Sequence, residues 1–125
     1  MNISGKLLVT AAGLLAAATI FTPAHAAGPY GDWLRSNGAH IKVYKCEGGV
    51  GMKVTKSDEA EKVGKVIMCG AKASGPNKWK GSVLNLDDGK TYKGIVTLQD
   101  DKKLKLQGCV LGGLICKSDT WTKIK

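Results

Sequence analysis

The sequence has little of what catalytic chemistry usually draws on. Its 125 residues include two histidines, three prolines and one phenylalanine. No G-x-S-x-G, H-E-x-x-H or P-loop pattern occurs, so the common signatures of serine hydrolases, zinc proteases and nucleoside triphosphatases are missing. No apolar run reaches the 18 or more residues of a membrane-spanning helix, which excludes a polytopic helical membrane protein. Helical periodicity is nearly absent beyond residue 26, which excludes a long-helix scaffold. Acidic residues are scarce as well: ten Asp and Glu face 19 Lys and Arg, a formal net charge of +9. Glycine is abundant, at 17 residues, and there are four cysteines. The length sets one small domain with a modest core.

The N-terminus is expected to direct export. Lys6 supplies a positive start, Leu7 to Phe21 is apolar, and Thr22-Pro23-Ala24-His25-Ala26 ends in the small-x-small pattern of a signal-peptidase site. A helix over positions 7–21 would be only ~22 Å long, too short for a ~30 Å hydrocarbon core. Residues 1–26 therefore read as a cleaved signal peptide and residues 27–125 as the mature domain, with no stable membrane insertion after cleavage. The expected location is periplasmic or secreted, in an oxidising compartment.

Past residue 26, β-branched or alternating runs recur every 8–12 residues between turn signals, the pattern of an all-β barrel or sandwich. Asn37-Gly38, Gly48-Gly49, Ser74-Gly75-Pro76-Asn77, Asp88-Gly89, Asp100-Asp101 and Gly112-Gly113 are the breakers. Ser57–Lys62 is charged and suits a short helical turn or a mobile loop. Between the breakers lie about eight strands. Tight turns pair successive strands antiparallel, and closing eight of them into a barrel removes the exposed edges. The expected fold is an all-β, eight-stranded antiparallel meander closed into a small barrel, with a two-sheet sandwich as the alternative. Alternation supports two faces: Tyr92, Gly94, Val96 and Leu98 oppose Lys93, Ile95, Thr97 and Gln99.

Four cysteines allow three pairings. Cys109 and Cys116 lie symmetrically about Gly112-Gly113, so a hairpin there sets them opposite each other within disulfide range. That leaves Cys46 with Cys69. Closing these loops stabilises by roughly 2.5 and 3.5 kcal/mol respectively in the chain-entropy account. A four-cysteine zinc site is the rival. It usually needs close C-x₂₋₄-C pairs, and neither these spacings nor an exported chain favours it, so no metal is expected.

Candidate chemistry is thin. His40 is the one histidine of the mature chain and has no carboxylate or serine beside it in sequence. Asp87-Asp88 and Asp100-Asp101 fall at turns, where side-chain bonds to the backbone account for them. Asp58-Glu59-Ala60-Glu61 lacks the glycine and spacing of a calcium loop. Lysines alternate along the strands and flank Trp79 and Tyr92. They read first as a solvent face that guards against aggregation, and second as a surface for polyanions. Nucleic acid is not an expected partner of an exported chain; an anionic envelope polymer is.

From about Gly31 onward the chain resembles the DUF2147 family of exported bacterial proteins. The resemblance is carried by Gly31-Asp32-Trp33, the Ile41–Cys46 strand and Ser74-Gly75-Pro76-Asn77-Lys78-Trp79-Lys80-Gly81. It continues through Asn85-Leu86-Asp87-Asp88-Gly89-Lys90-Thr91-Tyr92, Leu106-Gln107-Gly108-Cys109 and Trp121-Thr122-Lys123. This chain departs from the pattern where it reads Gly49-Val50-Gly51, since the family often has a second cysteine there, in Leu86 for a usual proline, and in Lys123 for a usual arginine. The resemblance implies a lipocalin-like (calycin) barrel in the bacterial envelope, and no established activity, cofactor or catalytic residue.

The expected function is non-enzymatic binding of a small, partly apolar ligand, without a cofactor, with Trp79, Tyr92 and Trp121 lining the barrel's mouth or interior. The alternative is an interaction or stress-protection protein whose basic face meets anionic envelope polymers or a protein partner. The export expectation is checked by intact mass: the secreted product should begin at Ala27, and one beginning at Met1 would refute cleavage.

Overall fold

Turn chemistry and two-residue alternation produce eight antiparallel strands. A computed structural model describes residues 28–125, and the expected signal peptide, 1–26, lies outside the described residues. The strands are β1 (Gly31–Leu34), β2 (His40–Cys46), β3 (Gly49–Lys56), β4 (Val66–Ala73), β5 (Lys78–Leu84), β6 (Thr91–Asp100), β7 (Lys103–Val110) and β8 (Ile115–Lys123). Each pairs with the next, and β8 returns to β1 to close the barrel. The expectation of an all-β, eight-stranded closed barrel is thus met, and the sandwich alternative is not. The charged segment after β3 holds a single 3₁₀ turn, Ala60–Lys62.

Several turns differ in detail from the sequence reading. The β2–β3 turn is Glu47-Gly48, both in the left-handed region with φ of 50° and 79°, and Gly49 already belongs to β3. Two consecutive positive φ values give the turn whose twist matches that of the flanking strands. Asn37-Gly38 lies within a longer loop, where the amide of Arg35 donates to the Ala39 carbonyl and the Asn37 side chain accepts from the Ala39 amide. Gly112-Gly113 sits in a four-residue loop, with Val110 opposite Ile115 as the last pair. β4 has irregular register against β3, where Val50 faces Ala71, Met52 faces Met68 and Lys53 faces Val66. Extra residues on one strand locally rotate the pleat, which lets the successive residues Ile67 and Met68 both be buried.

The inward face is apolar through the core. Trp33, Ile41, Met52, Leu104 and Trp121 have no exposed surface, and no polar or charged residue is fully buried among the described residues. Replacing either tryptophan by alanine would cost about 3–5 kcal/mol. That is a large part of a stability of order 5–10 kcal/mol.

Two disulfides join Cys46 to Cys69 and Cys109 to Cys116, with Cα separations of 5.2 and 4.1 Å. The second closes the β7–β8 hairpin between directly opposed residues without a bulge. The first bridges β2 to β4, although β3 lies between them in the sheet. Two strand spacings amount to ~10 Å, so the β2–β3 hairpin must coil until Cys46 lies above β3. It lies above Gly51, where a Cβ would sit 2.4 Å from the Cys46 Cβ and 3.2 Å from the Tyr44 ring. Gly51 is therefore the space through which the bridge passes. Gly51→Ala should lower stability by about 2–3 kcal/mol, measured by urea unfolding of the oxidised protein. An unchanged midpoint would show that the hairpin can yield.

Candidate functional site

The three aromatic candidates lie on β5, β6 and β8 and do not share a cavity. Trp79 is half-buried near the β4–β5 turn and pairs with Ala73 and Val96. Tyr92 lies four residues from Val96 along β6, about 13 Å away at the rise of a strand, and near the opposite end. Its hydroxyl donates to the Asp88 carboxylate. That hydrogen bond lowers the Asp88 pKa and raises that of Tyr92. Trp121 is wholly enclosed in the core, and its indole N–H donates to Asp119 at 2.9 Å.

The middle of the barrel is tightly filled. A Cβ on Gly81 would sit 2.9 Å from Ala71, and one on Gly94 would sit 2.8 Å from the Met68 methyl. Contacts so short leave no room for a methyl group at Gly81, and room at Gly94 only if the Met68 side chain moves. Among the described residues, depressions open to solvent lie on the outside of the barrel. One, of about 510 Å³, is lined by Lys80, Gly81, Ser82, Thr91, Tyr92 and Lys93. Another, of about 450 Å³, is lined by Glu59, Glu61, Lys62, Lys65, Leu86 and Asp87. In the second, the Lys62 ammonium donates to Asp87 at 2.5 Å and to Glu59 at 2.8 Å.

A polar cluster sits at the seam between β1 and β8. These strands pair only at Trp33–Lys123 and Leu34–Thr122, supported by bonds between Asp32 and the backbone of residues 124 and 125. Above Leu34 the ladder stops, and side chains take over. Asp119 accepts from Arg35 at 3.0 Å, from Ser36 at 2.5 Å and from the Trp121 indole. Burial opposes ionisation of Asp119, and the hydrogen bonds from Ser36, Arg35 and Trp121 outweigh it, leaving the carboxyl below its ordinary value of 3.8. The sequence held one clue to this site. Asp119 stands two residues before Trp121 and so shares its interior-facing side. Its partners come from a distant loop, which spacing alone does not reveal.

The outer face of β4 to β7 is basic. Lys72 is directly opposite Lys80, while Lys78 and Lys105 flank Thr97 in one cross-strand row. Lys93 lies further along β6, and these four strands carry no acid until Asp100, at the end of β6. A second opposed pair, Lys42 and Lys53, lies on β2 and β3. Like charges directly opposite each other destabilise a sheet by about 0.2–1 kcal/mol. His40 stands at the start of β2, and its carbonyl accepts from the Thr55 hydroxyl. Of the turn acids, Asp88 accepts from the Lys90 amide and Asp100 from the Lys102 amide as expected, whereas the Asp87 carboxylate accepts from the Lys62 ammonium. Among the described residues, no three His, Cys, Asp or Glu gather as metal ligands.

The model of a family described as an uncharacterised protein conserved in bacteria, DUF2147, matches residues 31–123. The chain belongs to the DUF2147 family. Among solved structures, the DUF2147 barrel is similar to protein HP1028 from the human pathogen Helicobacter pylori, described as belonging to the lipocalin family. The TM-score is 0.62 at 15% identity, covering 77% of this chain and 82% of that one. At that identity the likeness is one of fold. Comparison with curated proteins gives no match. The two disulfides of this DUF2147 chain suit an oxidising environment. Among the described residues, no helix is long and apolar enough to cross a membrane.

The seam generates a pH prediction. A folded-state pKa below 3.8 means that ionised Asp119 stabilises the fold above that value. The contribution is lost as pH falls through the lower, folded-state pKa. Asp119→Asn should cost about 1–2 kcal/mol at pH 7, and the gap to the parent should close as pH drops below 3.8. Thermal melts across pH check it; a gap independent of pH would contradict it.

Proposed function

We propose that this chain is an exported, non-enzymatic binding protein of the bacterial envelope that engages an anionic surface through the outside of its barrel. The observation that carries this reading is the juxtaposition of Lys72 and Lys80, with Lys78, Lys93 and Lys105 nearby on the same outer face. Opposed lysines weaken the sheet they stand in. An arrangement that costs stability and concentrates positive charge suits a phosphate- or carboxylate-bearing target, which would relieve the repulsion on binding. The filled middle of the barrel favours the exterior over an enclosed ligand chamber.

A second reading keeps a small apolar ligand, placed at the mouth and not in the centre. It rests on Gly108, half-buried beside Tyr92, and on the half-buried Leu106 two residues away on β7. A Cβ on Gly108 would meet neighbours at an ordinary 3.7 Å, unlike those on Gly81 and Gly94.

The test is retention on a phosphate-bearing cation-exchange matrix. Lys72→Gln with Lys80→Gln should elute at clearly lower salt than Lys42→Gln with Lys53→Gln, a control of equal net charge. Relief of one opposed pair should also leave the stability unchanged or raise it by up to about 1 kcal/mol. Identical elution of the two variants would reduce the effect to net charge and overturn the reading.

A further inference from the structure

The β7–β8 hairpin runs past the rest of the wall at the seam. β8 meets β1 only at Thr122 and Lys123, so from Ile115 to Trp121 its ladder partner is β7. At its tip Leu111 is 67% exposed, Leu114 86% and Ile115 56%, with Val110 beside them at 39%. From Gly108 to Cys116 the chain carries no charge. Apolar side chains gathered on one protruding loop mark an interaction site. They are also an aggregation liability that charged edge residues normally suppress. The Cys109–Cys116 bridge fixes the root of the loop, so the tip side chains are not required to hold it.

Charge complementarity indicates what covers them. Lys93 stands across the ladder from Cys109, and Lys117 follows Cys116 directly. The acids of this end of the barrel are engaged or distant. Asp119 is held by Arg35 and Ser36, Asp88 by Tyr92 and Asp87 by Lys62. Glu59 shares Lys62 with Asp87, and Asp58 and Glu61 lie with it on the β3–β4 connection, which is separated from the β7–β8 hairpin by the β5–β6 turn in the strand order. A greasy tip flanked by lysines has the composition of an element that enters the boundary between lipid headgroups and acyl chains. A soluble polyanion would account for the lysines and leave the leucines unexplained. A protein partner would need a concavity matched to a convex loop; a bilayer needs none.

We propose that the hairpin tip docks on an anionic phospholipid bilayer, with Leu111, Leu114 and Ile115 entering the headgroup–acyl boundary while Lys93 and Lys117 meet lipid phosphates. This rests on the reading that the outer face binds an anionic surface, and it names that surface.

The experiment uses residues 27–125, which contain every strand of the barrel, in flotation with vesicles. Vesicles of phosphatidylethanolamine with phosphatidylglycerol should carry the protein, and pure phosphatidylcholine vesicles should not. Leu111→Asp with Leu114→Asp should weaken vesicle binding by about tenfold or more while leaving salt elution from the phosphate matrix unchanged. Melting curves confirm that this variant folds. Independently, Leu114→Trp should give a blue-shifted emission on addition of the anionic vesicles alone. Equal vesicle binding by the parent and the aspartate variant, or no emission shift, overturns insertion and leaves the anionic-surface reading standing. Loss of matrix retention specificity overturns that reading instead. A parent that sediments as a dimer, becomes monomeric in the aspartate variant and ignores vesicles would assign the tip to a second copy and overturn the proposal.

Discussion

Everything in this barrel depends on closing an eight-stranded sheet with a four-residue first strand. β1 reaches β8 over just two ladder pairs, and three further backbone bonds at Asp32 extend the closure at the lower end. Trp33, on the same short strand, is fully enclosed; its indole donates to the Pro29 carbonyl at 2.8 Å, and the Lys123 ammonium lies 5.0 Å from its ring centre. One strand thus supplies a large part of the core and the closing joint together. Where β1 ends, Arg35 and Ser36 extend the joint with side chains to Asp119. The polar cluster at the mouth is a consequence of that shortness: a carboxylate facing inward is affordable only where the ladder has opened to water.

The filled middle of the barrel and the charged exterior belong together. A domain of this size buries a modest fraction of its surface, and bulky residues such as Trp121 and Met52 occupy the interior to supply that burial. Binding capacity is then displaced to the wall and the rim. The wall carries a lysine array whose members repel each other, and the rim carries leucines that solvent would not choose. Both features oppose stability, and the two disulfides offset such costs by restricting the unfolded chain.

The architecture was legible because alternation and turn residues act locally. The runs around Val96 and Leu104, the aspartate turns and the opposition of Cys109 to Cys116 all follow from two-residue periodicity and hairpin symmetry. Other features were not legible because they are set by coiling and by contacts between distant segments. Glu47, not Gly49, takes a left-handed turn position because the strand's register, fixed by Val43 against Met52, leaves two residues for the turn. The crossing of Cys46 over Gly51 arises from hairpin coil, which spacing does not encode. Trp79, Tyr92 and Trp121 were grouped by residue type, and the sheet distributes them. The pairing of Lys72 with Lys80 needed the β4–β5 register, which the irregularities in β4 hid. The exposure of Leu111 and Leu114 depends on how far β8 continues beyond β1, which local alternation does not encode.

The bridge over Gly51 also ties three strands together with one covalent bond. In the folded sheet Cys46 and Cys69 meet across β3 because the β2–β3 hairpin coils above it, with Gly51 leaving the space. The bond therefore marks a register: a β3 displaced along either neighbour would put a side chain where Gly51 now stands and force the two sulfurs apart.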